Sequence, residues 1–367
     1  MNMRRSVNIS LVIAFVALLL GGIAFHRDQQ KRVEARASGH LKTMLMLRES
    51  VLRSHLDSLR SEMILWSSQA VVVDLLRMMQ AASDQDGEAG LAAVGALPAT
   101  AMRASIPNSE SESIDDRVAR FTAHHGYYDI FIINTKGDVL YTVAKEDDVQ
   151  TNLIDGPYAD TGLGRMFRDL MADGSQDQVV FEDFSNYAPS NDEPAAFIGS
   201  RVYSDNEWIG VYAVQIPAQF INEIMQFSSG MGETGETYLV GNDGLMRSDS
   251  RFLSESSILK TTVASPSVAR ALSGEVGIGI VDDYRGIPVY SAYQPFDFEG
   301  TRWAVLAEQD VAEVLAPAKD TLKWMAMGYG LLILFGLLLR FVLLHVVAPA
   351  ALAAFLGLSL MDSIDDA

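Results

Sequence analysis

Residues 230–248 read GMGETGETYLVGNDGLMRS, and residues 127–143 read YYDIFIINTKGDVLYTV. Each is a short alternating apolar run, a turn of Asn, Asp, Lys and Gly, and a second short run. Lys-Gly-Asp and Asn-Asp-Gly supply residues that tolerate positive φ, as tight hairpins demand. The period of roughly 100 residues is too long for a solenoid and predicts a duplicated domain.

The duplication extends past the hairpins. In the first unit a helix is expected at 114–124, the hairpin at 127–143, a helix at 163–172 and a strand at 178–181. Two longer strands, AAFIGSRVY (195–203) and WIGVYAVQI (208–216), precede a helix at 218–226. In the second unit the hairpin at 237–247 is followed by a helix at 268–272, a strand at 276–281 and the strands IPVYSAYQPF (287–296) and TRWAVLAEQ (301–309). The closing phrases NEWIGVYAVQIPAQFI and GTRWAVLAEQDVAEVL follow one pattern: a polar turn, a tryptophan, an alternating strand and a polar step into a helix. Alternation of this kind marks antiparallel strands with one face on a core. Each unit reads as a sheet of about five strands with helices to one side.

Hydrophobic segments bound the pair. Residues 7–25, VNISLVIAFVALLLGGIAF, carry no charge and come close to the ~20 residues that cross ~30 Å of hydrocarbon. A cleaved signal peptide is the rival reading, but its apolar region is normally shorter. Residues 324–339, WMAMGYGLLILFGLLL, make a second candidate span. Arg4 and Arg5 ahead of the first span favour a cytoplasmic N-terminus, against Arg27, Lys31 and Arg32 just after it. The chain has no cysteine, which fits a periplasmic domain and removes thiol chemistry. Its net charge of −19 argues against a nucleic-acid binder, which needs a basic face.

From residue 26 to 80 the chain is rich in Leu, Met, Glu, Arg and Ala. Leu45, Leu52, Leu59 and Trp66 fall seven apart, with Leu56 and Met63 interleaved, so a long helix with a coiled-coil seam is expected. That seam can pack on its own domain, join a partner's helix in a homodimer, or do both. Residues 81–112, full of Ala, Ser, Gly and Asp, read as loop with short helical pieces.

A long helix, two consecutive modules and flanking spans resemble the double Cache sensor region of bacterial methyl-accepting chemotaxis proteins. The phrases that carry the resemblance are YYDIFIINTKGDVLYTVAKEDD, TNLIDGPYAD, PAAFIGSRV, QIPAQFINEIM and GMGETGETYLVGNDGLMRSDSRF. The resemblance implies an α+β fold: a long N-terminal helix plus two tandem PAS-like (Cache) modules with antiparallel sheets, flanked by transmembrane helices. The expected organisation is a cytoplasmic N-terminus at 1–6, a first span at 7–25, a stalk helix at 26–80 and a membrane-distal module at 81–228. A membrane-proximal module at 229–322, a second span at 323–340 and a HAMP-like remnant at 341–367 follow. The family implies an inner-membrane receptor with a periplasmic or extracellular domain that binds a small solute, usually in the distal module, and signals through the second span.

The chain also departs from the family. Chemoreceptors continue into a HAMP linker and a cytoplasmic coiled coil, whereas FVLLHVVAPAALAAF and LGLSLMDSIDDA carry no such heptads. No cyclase or kinase motif occurs, so the expectation is a sensor without its own output. A membrane scaffold that associates with full-length receptors is the alternative. In the amino-acid-binding branch an arginine and a Trp-Tyr pair hold the carboxylate, and an aspartate on the last strand holds the ammonium group. The matching stretch, Leu153-Ile154-Asp155-Gly156-Pro157-Tyr158, keeps only Tyr158, and Gln215 stands where that branch has its acid. Amino-acid specificity is therefore not carried over.

Candidate ligand residues are Tyr127, Tyr128 and Asp129 at the first strand, Tyr158, and Asp183, Phe184, Tyr187 and Ser190 in EDFSNYAPS, read as a loop; Gln215 joins them. Lys145, Glu146 and Asp148 read as a solvated turn. The run Arg247, Ser248, Asp249, Ser250, Arg251 reads as a structural loop, with a second solute site as the alternative. Catalysis finds little support, an extracytoplasmic hydrolase being the third reading: His124 and His125 are adjacent, with side chains expected to diverge, and no HExxH spacing occurs. Gly274-Glu275-Val276-Gly277-Ile278-Gly279 opens no helix and so makes no phosphate cradle. Neither a cofactor nor a metal is expected.

Overall fold

The leucine heptads build a helix, but not one that stops where composition suggests. This computed structural model describes residues 2–98, 112–172, 174–342 and 345, and divides into two compact units, Met1–Ala37 with Ala312–Ala367, and Ser38–Val311. Helix α1 runs Asn2–Ser67 and α2 runs Ala70–Gly95. The Ser68 and Ser67 hydroxyls donate to the carbonyls of Leu65 and Ile64, at 2.8 and 3.1 Å. The backbone there tightens to Gln69 N–H donating to Trp66 O at 3.0 Å. Serines that hydrogen-bond their own helix in this way favour its end. The stalk expected at 26–80 is thus broken at Ser68 and Gln69. The stretch expected as loop from 81 is helix as far as Gly95, kinked at Gly87, because Leu75, Leu76, Met79, Leu91 and Val94 are buried. Residues 99–111 lie outside the described residues.

The seam of α1 is turned inward. Leu45, Leu52, Leu56, Leu59 and Met63 are buried within this one chain, and half-buried Trp66 meets Phe121 edge-on at 4.6 Å. Each such leucine removed from water contributes about 1.5–3 kcal/mol. The homodimer expected through the helix carrying Leu45 and Trp66 cannot use these side chains without uncovering the core.

After α3 (Ile114–His125) the distal sheet follows: β1 Asp129–Asn134, β2 Val139–Thr142, β3 Val179–Tyr187, β4 Glu193–Ser204 and β5 Glu207–Pro217. Its order is β2-β1-β5-β4-β3, and every neighbouring pair is antiparallel. Helix α4 (Gly162–Met171) lays Leu163, Met166, Phe167 and Leu170 against Phe131, Ile133, Phe197 and Ala213. The segment EDFSNYAPS is not a loop: residues through Tyr187 belong to β3, bulged between Glu182 and Ser185, and Ala188–Ser190 is a single 3-10 turn.

Helix α5 (Ala218–Met225) leads to the proximal sheet: β6 Glu236–Val240, β7 Gly277–Asp282, β8 Pro288–Phe298 and β9 Thr301–Asp310, in the order β6-β9-β8-β7. It has four strands rather than five. The return from the second turn pairs with β6 only through the bridge Val240↔Met246, and the Ser248 hydroxyl accepts the Leu239 N–H at 3.1 Å. A side chain takes the place of a ladder carbonyl there. Helix α6 (Pro266–Leu272) buries Val268 and Ala271 on Tyr238, Tyr293 and Leu306.

The modules touch through β3 and β9. Trp303 packs edge-on to Phe181 at 5.8 Å and stacks on Phe296 at 6.0 Å, while its indole N–H donates to Asp183 at 2.9 Å. Buried Arg247 donates to the same carboxylate from Nε at 3.1 Å and from Nη2 at 2.9 Å.

In the other unit, helix α7 (Val311–Val342) is long and apolar enough to cross a membrane. The Tyr329 hydroxyl donates to the Leu18 carbonyl at 2.9 Å and lies where a Cβ on Gly22 would sit, so a side chain there would have to displace it. Residues 7–25 are helical within α1, with Leu18, Leu20, Ile23 and Phe25 exposed; the side chains of 1–12 and 14 lie outside the described residues. So does the expected HAMP-like remnant at 341–367, except Phe341, Val342 and His345.

Candidate ligand site

Helix α3 ends on Gly126, whose φ of 73° lies in the left-handed region that glycine enters freely. The turn sends consecutive residues in different directions. Tyr127 points to α1, where its hydroxyl donates to Glu62 and its ring stacks on His125 at 5.6 Å. Tyr128 is exposed and donates to Glu146 Oε1 at 2.7 Å. Asp129 opens β1 and is fully buried, opposite Gln215 on β5.

Asp129 Oδ1 accepts three backbone N–H groups, from Ile130 and Val143 at 2.7 Å and from Ala144 at 3.0 Å. Its Oδ2 is buried with no partner. Burial, opposed by those N–H groups and helped by the charge of Asp148, pushes this carboxyl up to about 7. Asp148 is also fully buried; Oδ2 accepts the Tyr187 hydroxyl at 2.6 Å and Oδ1 has no partner. Burial foremost, offset by the Tyr187 bond, pushes it up to about 6. Half-buried Glu146 completes the set, its Oε2 accepting the Ser190 hydroxyl at 2.7 Å. Gln215 donates through Nε2 to Ser190 Oγ at 3.2 Å, and its Oε1 is the third buried oxygen without a partner.

Three carboxylates therefore meet at one end of the sheet. Among the described residues no lysine or arginine bonds to any of them; neighbouring Lys145 pairs with Asp115 instead. Buried carboxylates are ordinarily paired, and an unpartnered buried oxygen costs about 1–3 kcal/mol. The three free acceptors, Asp129 Oδ2, Asp148 Oδ1 and Gln215 Oε1, equal the three donors of a primary ammonium group.

The family model described as Cache domain matches residues 29–318. The chain belongs to the Cache family. No curated protein matches this Cache chain. Among solved structures, it is similar to the ligand-binding domain of the Pseudomonas aeruginosa PAO1 amino acid chemoreceptor PctB in complex with L-Gln. The identity is 15% over 75% of this chain and 92% of that one, with a TM-score of 0.43. It is also similar to the ligand-binding domain of the Pseudomonas fluorescens chemoreceptor CtaA in complex with L-serine, at 11% identity over 77% and 98% and a TM-score of 0.43. The extracellular domain of vpHK1S-Z8 is 11% identical over 81% and 99%, with a TM-score of 0.50. At these identities the likeness is one of fold.

Within this Cache chain the residues singled out in the sequence divide into three groups. Tyr128, Asp129, Tyr187, Ser190 and Gln215 come together. Tyr158 sits beside them, half-buried against the distal core, its phenol raised by partial burial and by Asp147 and Asp148. Tyr127 faces the stalk, and Asp183 and Phe184 belong to the contact between modules, Phe184 lying 6.4 Å from Trp303. Sequence reasoning missed Glu146 and Asp148, which it left in a solvated turn; Asp148 is fully buried. The signal was the run Glu146-Asp147-Asp148, shortly after a hairpin whose first strand opens with Asp129. The adjacent His124 and His125 do not diverge either: their rings meet edge-on at 5.3 Å.

Proposed function

We propose that this chain is a membrane-anchored receptor whose distal module binds a small organic cation, a primary amine, on the extracytoplasmic side of the inner membrane. The observation that carries this reading is the trio of buried acceptor oxygens without partners among Asp129, Asp148 and Gln215. An ammonium group answers each and neutralises charge that burial makes costly. Among the described residues Lys145 is bonded to Asp115, Arg165 to Glu182 and Arg168 to the Ala159 carbonyl, which leaves a free carboxylate on the ligand no open cation among these three. An amine lacking a carboxylate is thus preferred to an amino acid. Exposed Tyr128 is tied to Glu146, and a ligand that reaches Glu146 would compete for that bond. Binding would draw β1, the segment after β2 and β5 together, and the modules share the Asp183–Arg247–Trp303 contact. Signalling requires that the bound and empty states differ in their affinity for the ligand.

The test is a thermal-shift screen of the full-length chain in detergent against methylammonium, ethanolamine, putrescine, amino acids and organic acids. Amines are expected to raise the melting temperature, with about 2.7 kcal/mol of stabilisation at a hundred times Kd. A shift with organic acids and none with amines would overturn the reading.

A further inference from the structure

The distal sheet has a second polar end. Gln215 faces Asp129 near the last residue of β5, whereas Trp208 near its first residue faces Tyr203 of β4. The break between α1 and α2 lies beside this second end. A cleft of about 330 Å³ opens there, between Ser67 and Ser68 of the helix end and Asp177, Arg201, Tyr203 and Asn206 of the distal module. It shares no residue with the amine site at Asp129 and Asp148.

Arg201 is the cation in that lining, and it is only 7% exposed. Its Nε donates to the Leu170 carbonyl at 2.6 Å. Nη1 donates to the Gly174 carbonyl at 3.0 Å and to the Tyr203 hydroxyl at 3.3 Å, and Nη2 donates to the Ala172 carbonyl. Three of these acceptors are carbonyls at the end of α4 and just beyond it. They account for the position of the guanidinium but not for its charge, because a helix C-terminus amounts to only about half an elementary charge. Four of the five N–H groups are used, each on a neutral oxygen, and among the described residues no carboxylate bonds to Arg201. Tyr203 accepts from Arg201, so its own O–H is left to donate. Ser67 and Ser68, in contrast, spend their hydroxyl protons on the carbonyls of α1.

We propose that this cleft binds the carboxylate of a small monocarboxylic acid, with the remaining Arg201 N–H and the Tyr203 hydroxyl as its donors. A buried guanidinium without a carboxylate is costly, and an anion that reaches it gains a charge-assisted hydrogen bond. The rim selects against further negative charge. Asp177 and Asp205 are exposed there, Asp205 lying 3.5 Å from Arg77. A second carboxylate on the ligand would stand among these acids, so lactate is preferred to succinate. Ser67 and Ser68 form one wall, so the occupant touches the point at which the stalk helix breaks.

The test is calorimetric titration of the full-length chain in detergent with sodium lactate and sodium succinate. It compares the wild type with Arg201→Lys, Tyr203→Phe, Asp177→Asn, Asp148→Asn and Asp173→Asn, and tryptophan fluorescence confirms that each variant is folded. The wild type is expected to bind lactate, and succinate at least about tenfold more weakly. Arg201→Lys keeps the charge but loses the planar fork, and should weaken lactate at least about tenfold; Tyr203→Phe should weaken it a few-fold. Asp177→Asn, an exposed change away from the end of α4, should narrow the gap between lactate and succinate, which a purely structural arginine would not bring about. Asp148→Asn should bind lactate as the wild type does. No lactate binding by the wild type overturns the site, as does lactate binding indifferent to both Arg201→Lys and Tyr203→Phe. Loss of lactate binding in folded Asp148→Asn moves the carboxylate to the other end of the sheet and overturns it as well. Asp173 lies outside the described residues; lactate binding by Asp173→Asn and none by the wild type would mean that the chain's own acid takes the place, and overturns the site. If Arg201→Lys fails to fold, Tyr203→Phe and Asp177→Asn decide.

Discussion

Replacing Asp129 by asparagine should stabilise the empty receptor in neutral solution and leave it unchanged in acid. Asparagine has the same shape, and its amide oxygen can accept the three backbone N–H groups that Asp129 Oδ1 now holds. What it removes is a charge at a fully buried position. The Asp129 carboxyl stands at about 7 in the folded chain against ~3.9 unfolded, a penalty on the ionised form with a ceiling of ~4 kcal/mol. The sign follows from that direction. A carboxyl raised on folding leaves the protein most stable below the unfolded value, and stability is lost as pH rises through the folded one. Wild type therefore weakens from about pH 4 to past pH 7, while Asp129→Asn lacks this loss. At pH 8.5 the variant should gain about 2–4 kcal/mol, or roughly 5–15 °C in melting temperature for a unit of this size. At about pH 3, below the unfolded value, the difference should vanish. The assay is tryptophan-detected melting of the full-length chain in detergent, without amine, across that pH range. A difference independent of pH, or a variant less stable at pH 8.5, would refute the reasoning. The same charge that weakens the empty fold is what an ammonium ligand needs, so the stabilised variant should lose amine binding.

Arg247→Ala removes a guanidinium that is only 4% exposed and leaves Asp183 held by the Trp303 indole and the Phe184 backbone N–H. With Asp183 a quarter exposed, the loss should be about 2–4 kcal/mol in urea melts followed by Trp303 emission, and Asp183→Asn should cost less. Leu52→Ala, at a fully buried position on the inward face of α1, should cost about 2–5 kcal/mol in the same melts. Leu47→Ala, half exposed on that helix, should change little.

How far the sequence led depended on the range of the interaction. The alternating runs and their turns are local, and they located most of the strands, the helices α3 to α6 and the duplication, but not the second half of β3 or the missing return strand after β6. The heptads predicted the stalk helix but could not say which surface the seam would cover; the chain's own modules cover it. Local composition misjudged residues 81–95 because glycine, serine and aspartate suggested loop, whereas Leu91 and Val94 find a core that only the fold supplies. That Asp129, Tyr187, Ser190 and Gln215 gather was legible from polar groups near strand ends. Asp183 and Asp148 exchanged roles for one reason: an acid's partner is set by tertiary packing. Arg247, 64 positions away, claims Asp183, and the loop after β2 folds Asp148 under Tyr187.

The measurement closest to the central claim is calorimetric titration of the full-length chain with ethanolamine at pH 7, in phosphate and again in HEPES. An ammonium group that needs Asp129 and Asp148 ionised must expel the protons they hold, with Asp129 half protonated near about 7 and Asp148 near about 6. The prediction is binding with an apparent enthalpy that differs between the buffers, a difference that Asp129→Asn and Asp148→Asn remove. Ethanolamine binding with equal enthalpy in both buffers and unaffected by either substitution would contradict an ammonium site at the end of the distal sheet.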